Sequence, residues 1–134
     1  MENNEAENRT CIRFAIPGAM VSYEFKDYTE EFSPLVDISR GGVKFLGKHP
    51  LEINADITLK ISVPGEMIPL TLHGKVRWIS FIEEKDQYQI GVQFNPYGEK
   101  ERQNYPGNMV KIISLEQKFA SKDKAKIGKY EIDS

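Results

Sequence analysis

Two short stretches of the chain combine residue types that can do more than fold. Arg9-Thr10-Cys11-Ile12-Arg13 sets two arginines four positions apart, and Asp37-Ile38-Ser39-Arg40-Gly41-Gly42 sets an acid, a hydroxyl, a third arginine and a glycine pair in one run. A planar guanidinium pairs bidentately with phosphate or with O6 and N7 of guanine, and it stacks on base faces. A carboxylate at Asp37 accepts from N1–H and N2–H₂ of guanine, a donor pair that adenine lacks. Ser39 adds a short hydroxyl, and Gly41 and Gly42 let main-chain N–H groups approach a base or a phosphate closely. Arg40 is expected to be solvent-facing or phosphate-adjacent. The candidate ligand contacts are therefore Arg9, Arg13, Asp37, Ser39, Arg40, Gly41 and Gly42. Each stretch taken alone also has a plain reading. Arginines near a terminus are ordinarily solvated charges, and an Asp-x-Ser-x-Gly-Gly run is ordinarily a turn whose side chains cap backbone N–H groups.

The elements that must hold these residues are mostly strands. From Ala19 onward apolar and polar residues alternate, the period-two mark of a half-buried strand. Val21, Tyr23 and Phe25 share one face of the first, over Ala19 to Phe25. Ile57, Leu59, Ile61 and Val63 define another, and Tyr88, Ile90, Val92 and Phe94 a third. Leu70, Leu72, Val76 and Trp78 also fall in phase, which places Trp78 in the core. Shorter strands, Leu35 to Ile38 and Val43 to Leu46, flank the glycine pair Gly41-Gly42. Pro64-Gly65 suits a type II turn. About six antiparallel strands in so short a span favour a closed barrel, because closure removes sheet edges. After the loop Asn95 to Gly107, the apolar residues Met109, Ile112, Ile113, Leu115 and Phe119 recur at helical spacing, with Asn108 as the expected N-cap. Such a helix needs the barrel to pack against. The fold expected is thus β-dominated, a six-stranded antiparallel barrel with one C-terminal amphipathic helix.

In order and spacing the two stretches resemble the paired signature of the PilZ family, RxxxR followed by [D/N]xSxxG. The 23 residues between Arg13 and Asp37 hold one strand, as in that family. Further likeness lies in Arg13-Phe14-Ala15-Ile16-Pro17, Lys75-Val76-Arg77-Trp78 and Gly91-Val92-Gln93-Phe94, so that residues 9 to 120 are covered. The resemblance implies a PilZ-type split barrel over 19–95 and a helix over about 108–120. It also implies a cytoplasmic, non-enzymatic receptor that binds the second messenger cyclic di-GMP. Arg9, Arg13, Asp37, Ser39 and Gly42 would be contacts, and the arginine segment 9–13 would order over the barrel to signal to a protein partner. An adaptor that binds proteins without using the messenger is the alternative, as in family members with degenerate motifs.

Composition narrows the rest. With 134 residues, 40% of them hydrophobic, there is material for one core. The net charge of −2 supplies no global field for duplex DNA or an anionic membrane, so an anion site must be local. Cys11 is the only cysteine and cannot form an internal disulfide. His49 and His73 lie on different elements without acidic partners at ligand spacing, so no metal and no cofactor is expected. The strand aromatics fall on the apolar face, which argues against an oligonucleotide-binding barrel with exposed stacking residues. Residues 1–8, with three glutamates, read as an acidic disordered leader, and 121–134 as a polar, lysine-rich tail.

Overall fold

The computed structural model describes residues 12–26 and 28–133, except for the side chains of 28, 31 and 121–133. The acidic leader, Arg9 and Cys11 lie outside the described residues. Six strands form: β1 (Met20–Phe25), β2 (Tyr28–Ser39), β3 (Gly42–Gly47), β4 (Asp56–Ser62), β5 (Leu70–Ile82) and β6 (Gln87–Phe94). They close into an antiparallel barrel in the order β1-β2-β3-β6-β5-β4, with β4 pairing back to β1. The expected architecture is present, with β2 much longer than the four residues assigned to it. Its first half makes the hairpin with β1, and its second half pairs with β3.

The interior follows the alternation. Val21 and Tyr23 from β1, Ile57, Leu59 and Ile61 from β4, and Leu70, Leu72 and Val76 from β5 are buried against Phe45, Ile90 and Val92. At about 25 cal/mol per Å² of apolar surface, this burial is the main force closing the barrel. The Val63–Glu66 turn is built as expected: Glu66 N donates to Val63 O at 3.0 Å, and Gly65 takes φ +87°, which a side chain would oppose.

The helix α1 spans Pro106–Asp133. It starts earlier than expected, because proline suits the first helical position, where no N–H is needed. Asn108 is therefore no N-cap. It lies in the first turn, and its Nδ2 donates to Thr71 O of β5 at 2.9 Å, pinning the helix to the barrel. The helix also continues beyond residue 120, where a tail was expected. Lysine and alanine are good helix formers, so a polar stretch need not end a helix. Ile112, Leu115 and Ala120 bury one face of α1 on the barrel. Lys111 Nζ reaches Glu66 Oε1 at 2.5 Å. That hydrogen bond, then the lysine charge, holds the Glu66 carboxyl below the usual carboxylate range, so this tie is lost as pH falls through the lowered value. Among the described residues no helix is long and apolar enough to cross a membrane.

Candidate functional site

The backbone brings the two motifs together before any side chain does. Phe14 and Ile38 exchange both hydrogen bonds, N to O at 2.9 Å each way, as an isolated antiparallel bridge. Both side chains are buried, so their neighbours Arg13 and Asp37 face outward on the same side. Arg13 donates to Asp37 Oδ1 from Nε at 2.8 Å, and its Nη2 lies 2.7 Å from the same oxygen. Lys44 Nζ lies 3.4 Å from Asp37 Oδ2. Asp37 thus holds two cations at the outer face of the sheet, and among the described residues the Nη1 side of the Arg13 fork is uncommitted.

Two β-bulges set what else shares that face. Between Leu35 and Asp37 the register slips, so Leu35 pairs with Phe45 and Asp37 with Lys44. Between Val76 and Trp78 it slips again: Val76 pairs with Val92, but Trp78 pairs with Gly91. One extra residue reverses the inside-outside parity of everything after it. Leu70, Leu72 and Val76 point into the barrel as expected, whereas Trp78 does not. It is 40% exposed on the outer surface, while the following Ile79 turns inward opposite Ile90. Placing Trp78 in the core is corrected by this bulge.

Since Lys44 also pairs with Gly91, one row crosses four neighbouring strands on the outside: Asp37, Lys44, Gly91, Trp78. The row is shaped by a missing side chain. An ideal Cβ on Gly91 would lie 2.3 Å from Trp78 Nε1 and 2.5 Å from Cε2, so the indole occupies the space that a larger residue would fill. Lys44 Nζ sits 5.8 Å from the Trp78 ring centroid. Beside this row opens a cleft of about 350 Å³ whose lining includes Arg13, Gly41, Gly42, Lys44, Arg77 and Trp78. Its volume falls within the roughly 300–1,000 Å³ usual for small-molecule sites. Arg77 is held by neutral partners, Gln93 Oε1 at 2.6 Å and Asn54 Oδ1 at 2.8 Å, so its charge is oriented without being neutralised. Three cations and no carboxylate line the cleft; Asp37 beside it pairs with Arg13 and Lys44, which leaves Arg77 as the lining cation without a carboxylate partner among the described residues.

The motif turn divides into two faces. Gly41 and Gly42 line the cleft. Gly42 has no room for anything larger, since a Cβ there would meet Val92 O at 2.4 Å. Ser39 is 2% exposed, and its Oγ accepts from Gly41 N at 3.2 Å, so it shapes the turn. Arg40 was expected at solvent or phosphate. It is solvent-facing, with its side chain 45% exposed, and its guanidinium reaches Glu116 of α1, Nε to Oε1 at 3.3 Å and Nη2 to Oε2 at 3.4 Å. Lys44, Arg77 and Trp78 were missed as site residues because the sequence displays no bulge. The one available signal was Gly91, a glycine inside a strong strand pattern, which marks a close approach.

A family model described as the PilZ domain matches residues 7–105. The chain belongs to the PilZ domain family. Solved structures with the same fold include the PilZ domain of YcgR from Escherichia coli with c-di-GMP, at 14% identity and TM-score 0.65 over 90% of this chain and 98% of that one. They also include the K. pneumonia MrkH complex with c-di-GMP, at 21% identity and TM-score 0.65 over 87% of this chain and 55% of that one. A third is the Bacillus subtilis inhibitor of motility (MotI/DgrA), at 14% identity and TM-score 0.62 over 80% and 48%. This PilZ chain therefore spans about half the length of MotI and MrkH. No curated protein sequence matches it significantly. In PilZ terms the RxxxR and DxSxxG stretches meet through Arg13 and Asp37, while Arg9 lies outside the described residues.

Proposed function

We propose that this PilZ domain is a receptor for cyclic di-GMP. The observation that carries the reading is the outer row Asp37–Lys44–Gly91–Trp78, with Arg13 locked onto Asp37 at one end. Cyclic di-GMP has two phosphates and two guanines, and the cleft together with Asp37 on the adjoining row offers counterparts to both kinds of group. Arg13, Lys44 and Arg77 supply positive charge for phosphate oxygens. Asp37 accepts from the guanine N1 and N2 donors, and Trp78 presents an exposed indole on which a base stacks. Gly41 and Gly42 contribute backbone donors at the wall. The structures of MrkH and the YcgR PilZ domain, both with c-di-GMP, support the choice of ligand.

In the signalling step Arg9 joins Arg13 on the ligand from the N-terminal side, so the 9–13 segment closes over the cleft. A protein partner then reads the altered surface. No covalent chemistry is involved; the ligand acts by differential affinity for two arrangements of the chain.

Isothermal titration with cyclic di-GMP tests the reading. Saturable heat with a Kd below about 50 μM, near −6 kcal/mol, is expected. A flat titration would sink the receptor assignment and leave a messenger-independent adaptor as the reading. Asp37→Ala is expected to narrow the gap between cyclic di-GMP and cyclic di-AMP more than it lowers overall affinity, measured by titrating both nucleotides into both proteins. Trp78→Ala is expected to weaken cyclic di-GMP about tenfold, within the range for loss of one base–aromatic stack, with the thermal midpoint little changed.

A further inference from the structure

Arg40, next to the two glycines of the motif that line the cleft, does not line it. Arg40 forks onto both oxygens of Glu116, a residue only 8% exposed on α1. Among the described residues Arg40 is the one cation paired with that carboxylate. A carboxylate so buried is costly without its counter-charge, so Glu116 constrains where Arg40 rests and Arg40 constrains where α1 rests. Two more bonds fasten the same turn from behind. Tyr97 Oη donates to Arg40 O at 2.7 Å, and Phe94 N donates to Gly41 O at 2.8 Å. The next residues of the turn, Gly41 and Gly42, form the cleft wall. A single tight turn therefore presents one side to the cleft and the other to the helix.

We propose that Glu116 is a positioning residue for this turn. Through Arg40 it holds Gly41 and Gly42 in place as the cleft wall, and so makes seating of α1 and occupancy of the cleft mutually reinforcing. The nature of the occupant rests on the receptor reading above; the coupling between turn and helix does not. Coupling between two sites is reciprocal, so a ligand that fixes the turn must also fix the helix.

Hydrogen exchange on ligand-free wild type, Glu116→Gln, Arg40→Gln and the double variant tests the coupling directly. Glu116→Gln keeps the side-chain volume and is expected to speed exchange at the 41–43 amides about fivefold, although residue 116 is on a different element. Arg40→Gln is expected to do the same at the 112–120 amides. The double variant should be no worse than either single change. Strand β4 lies opposite β3 in the barrel and should not change, which separates coupling from general destabilisation. Additive effects, or changes confined to the element mutated, would overturn the proposal. Adding cyclic di-GMP supplies the second arm. Wild type should bind and show slowed exchange along α1, whereas Glu116→Gln should bind about fivefold more weakly and lose the helix response. Binding by wild type with an unchanged helix response in Glu116→Gln would also refute the coupling. No binding by wild type refutes the receptor reading alone, because the ligand-free arm still decides the coupling.

Discussion

Arg13→Ala is expected to abolish most cyclic di-GMP binding, a loss of about 2–5 kcal/mol if the guanidinium meets a desolvated phosphate or guanine. The size of the effect follows from what Arg13 does without ligand. Its Nε and Nη2 are already held on Asp37 Oδ1, so the uncommitted side of the fork is presented to the cleft without first losing rotamer freedom. Removing it deletes a cleft cation and also frees Asp37 from one of its two partners. Asp37 keeps Lys44, so a charged carboxylate remains beside an anionic ligand with less positive charge to offset it. The same substitution should barely affect folding. The pair is partly solvated, and such surface ion pairs contribute about 0–1 kcal/mol. Titration calorimetry and thermal melts on one preparation make the comparison. A variant that binds within threefold of wild type would show that Arg13 is not the anchor.

Gly42→Ala is expected to damage the fold and the site together, by about 3 kcal/mol, at the upper end of the usual cost of overpacking. An added Cβ would lie 2.4 Å from Val92 O, a backbone atom of β6, the strand that pairs with β3 along the row bearing the site. Backbone in the middle of a ladder cannot swing aside, so the two strands must part where Lys44 faces Gly91. For a domain of this size the thermal midpoint should drop by roughly 10 °C or more. Gly91→Ala provides the contrast. There the Cβ meets the indole of Trp78, an exposed side chain with room to leave. That variant should stay folded and lose affinity. Equal melting temperatures for Gly42→Ala and wild type would refute the steric argument.

The division between what could be read from the residues and what could not is sharp at particular positions. Alternation at Val21, Tyr23 and Phe25, at Ile57, Leu59 and Ile61, and at Ile90, Val92 and Phe94 was enough to name strands and their buried faces, because period-two burial is a local property. The barrel's closure and the family followed from strand number and from two motifs in order. Arg13, Asp37, Gly41 and Gly42 were legible as candidate ligand groups from their chemistry, and the structure places them at or beside one cleft.

Trp78, Lys44 and Arg77 were not legible. Trp78 keeps perfect phase with Leu70, Leu72 and Val76, and only a one-residue bulge against β6 turns it outward. A bulge arises from how two distant strands settle their registers, and no short window of sequence contains both. The same holds for Arg40, whose neighbours along the chain are all ligand-motif residues, yet whose partner Glu116 lies 76 positions away. Sequence by itself determined the strands, the presence of the C-terminal helix, the buried faces apart from Trp78, and the chemical repertoire of this protein. The tertiary structure alone decided which outward-facing groups share one surface, because strand register and helix seating are settled between segments far apart in the chain.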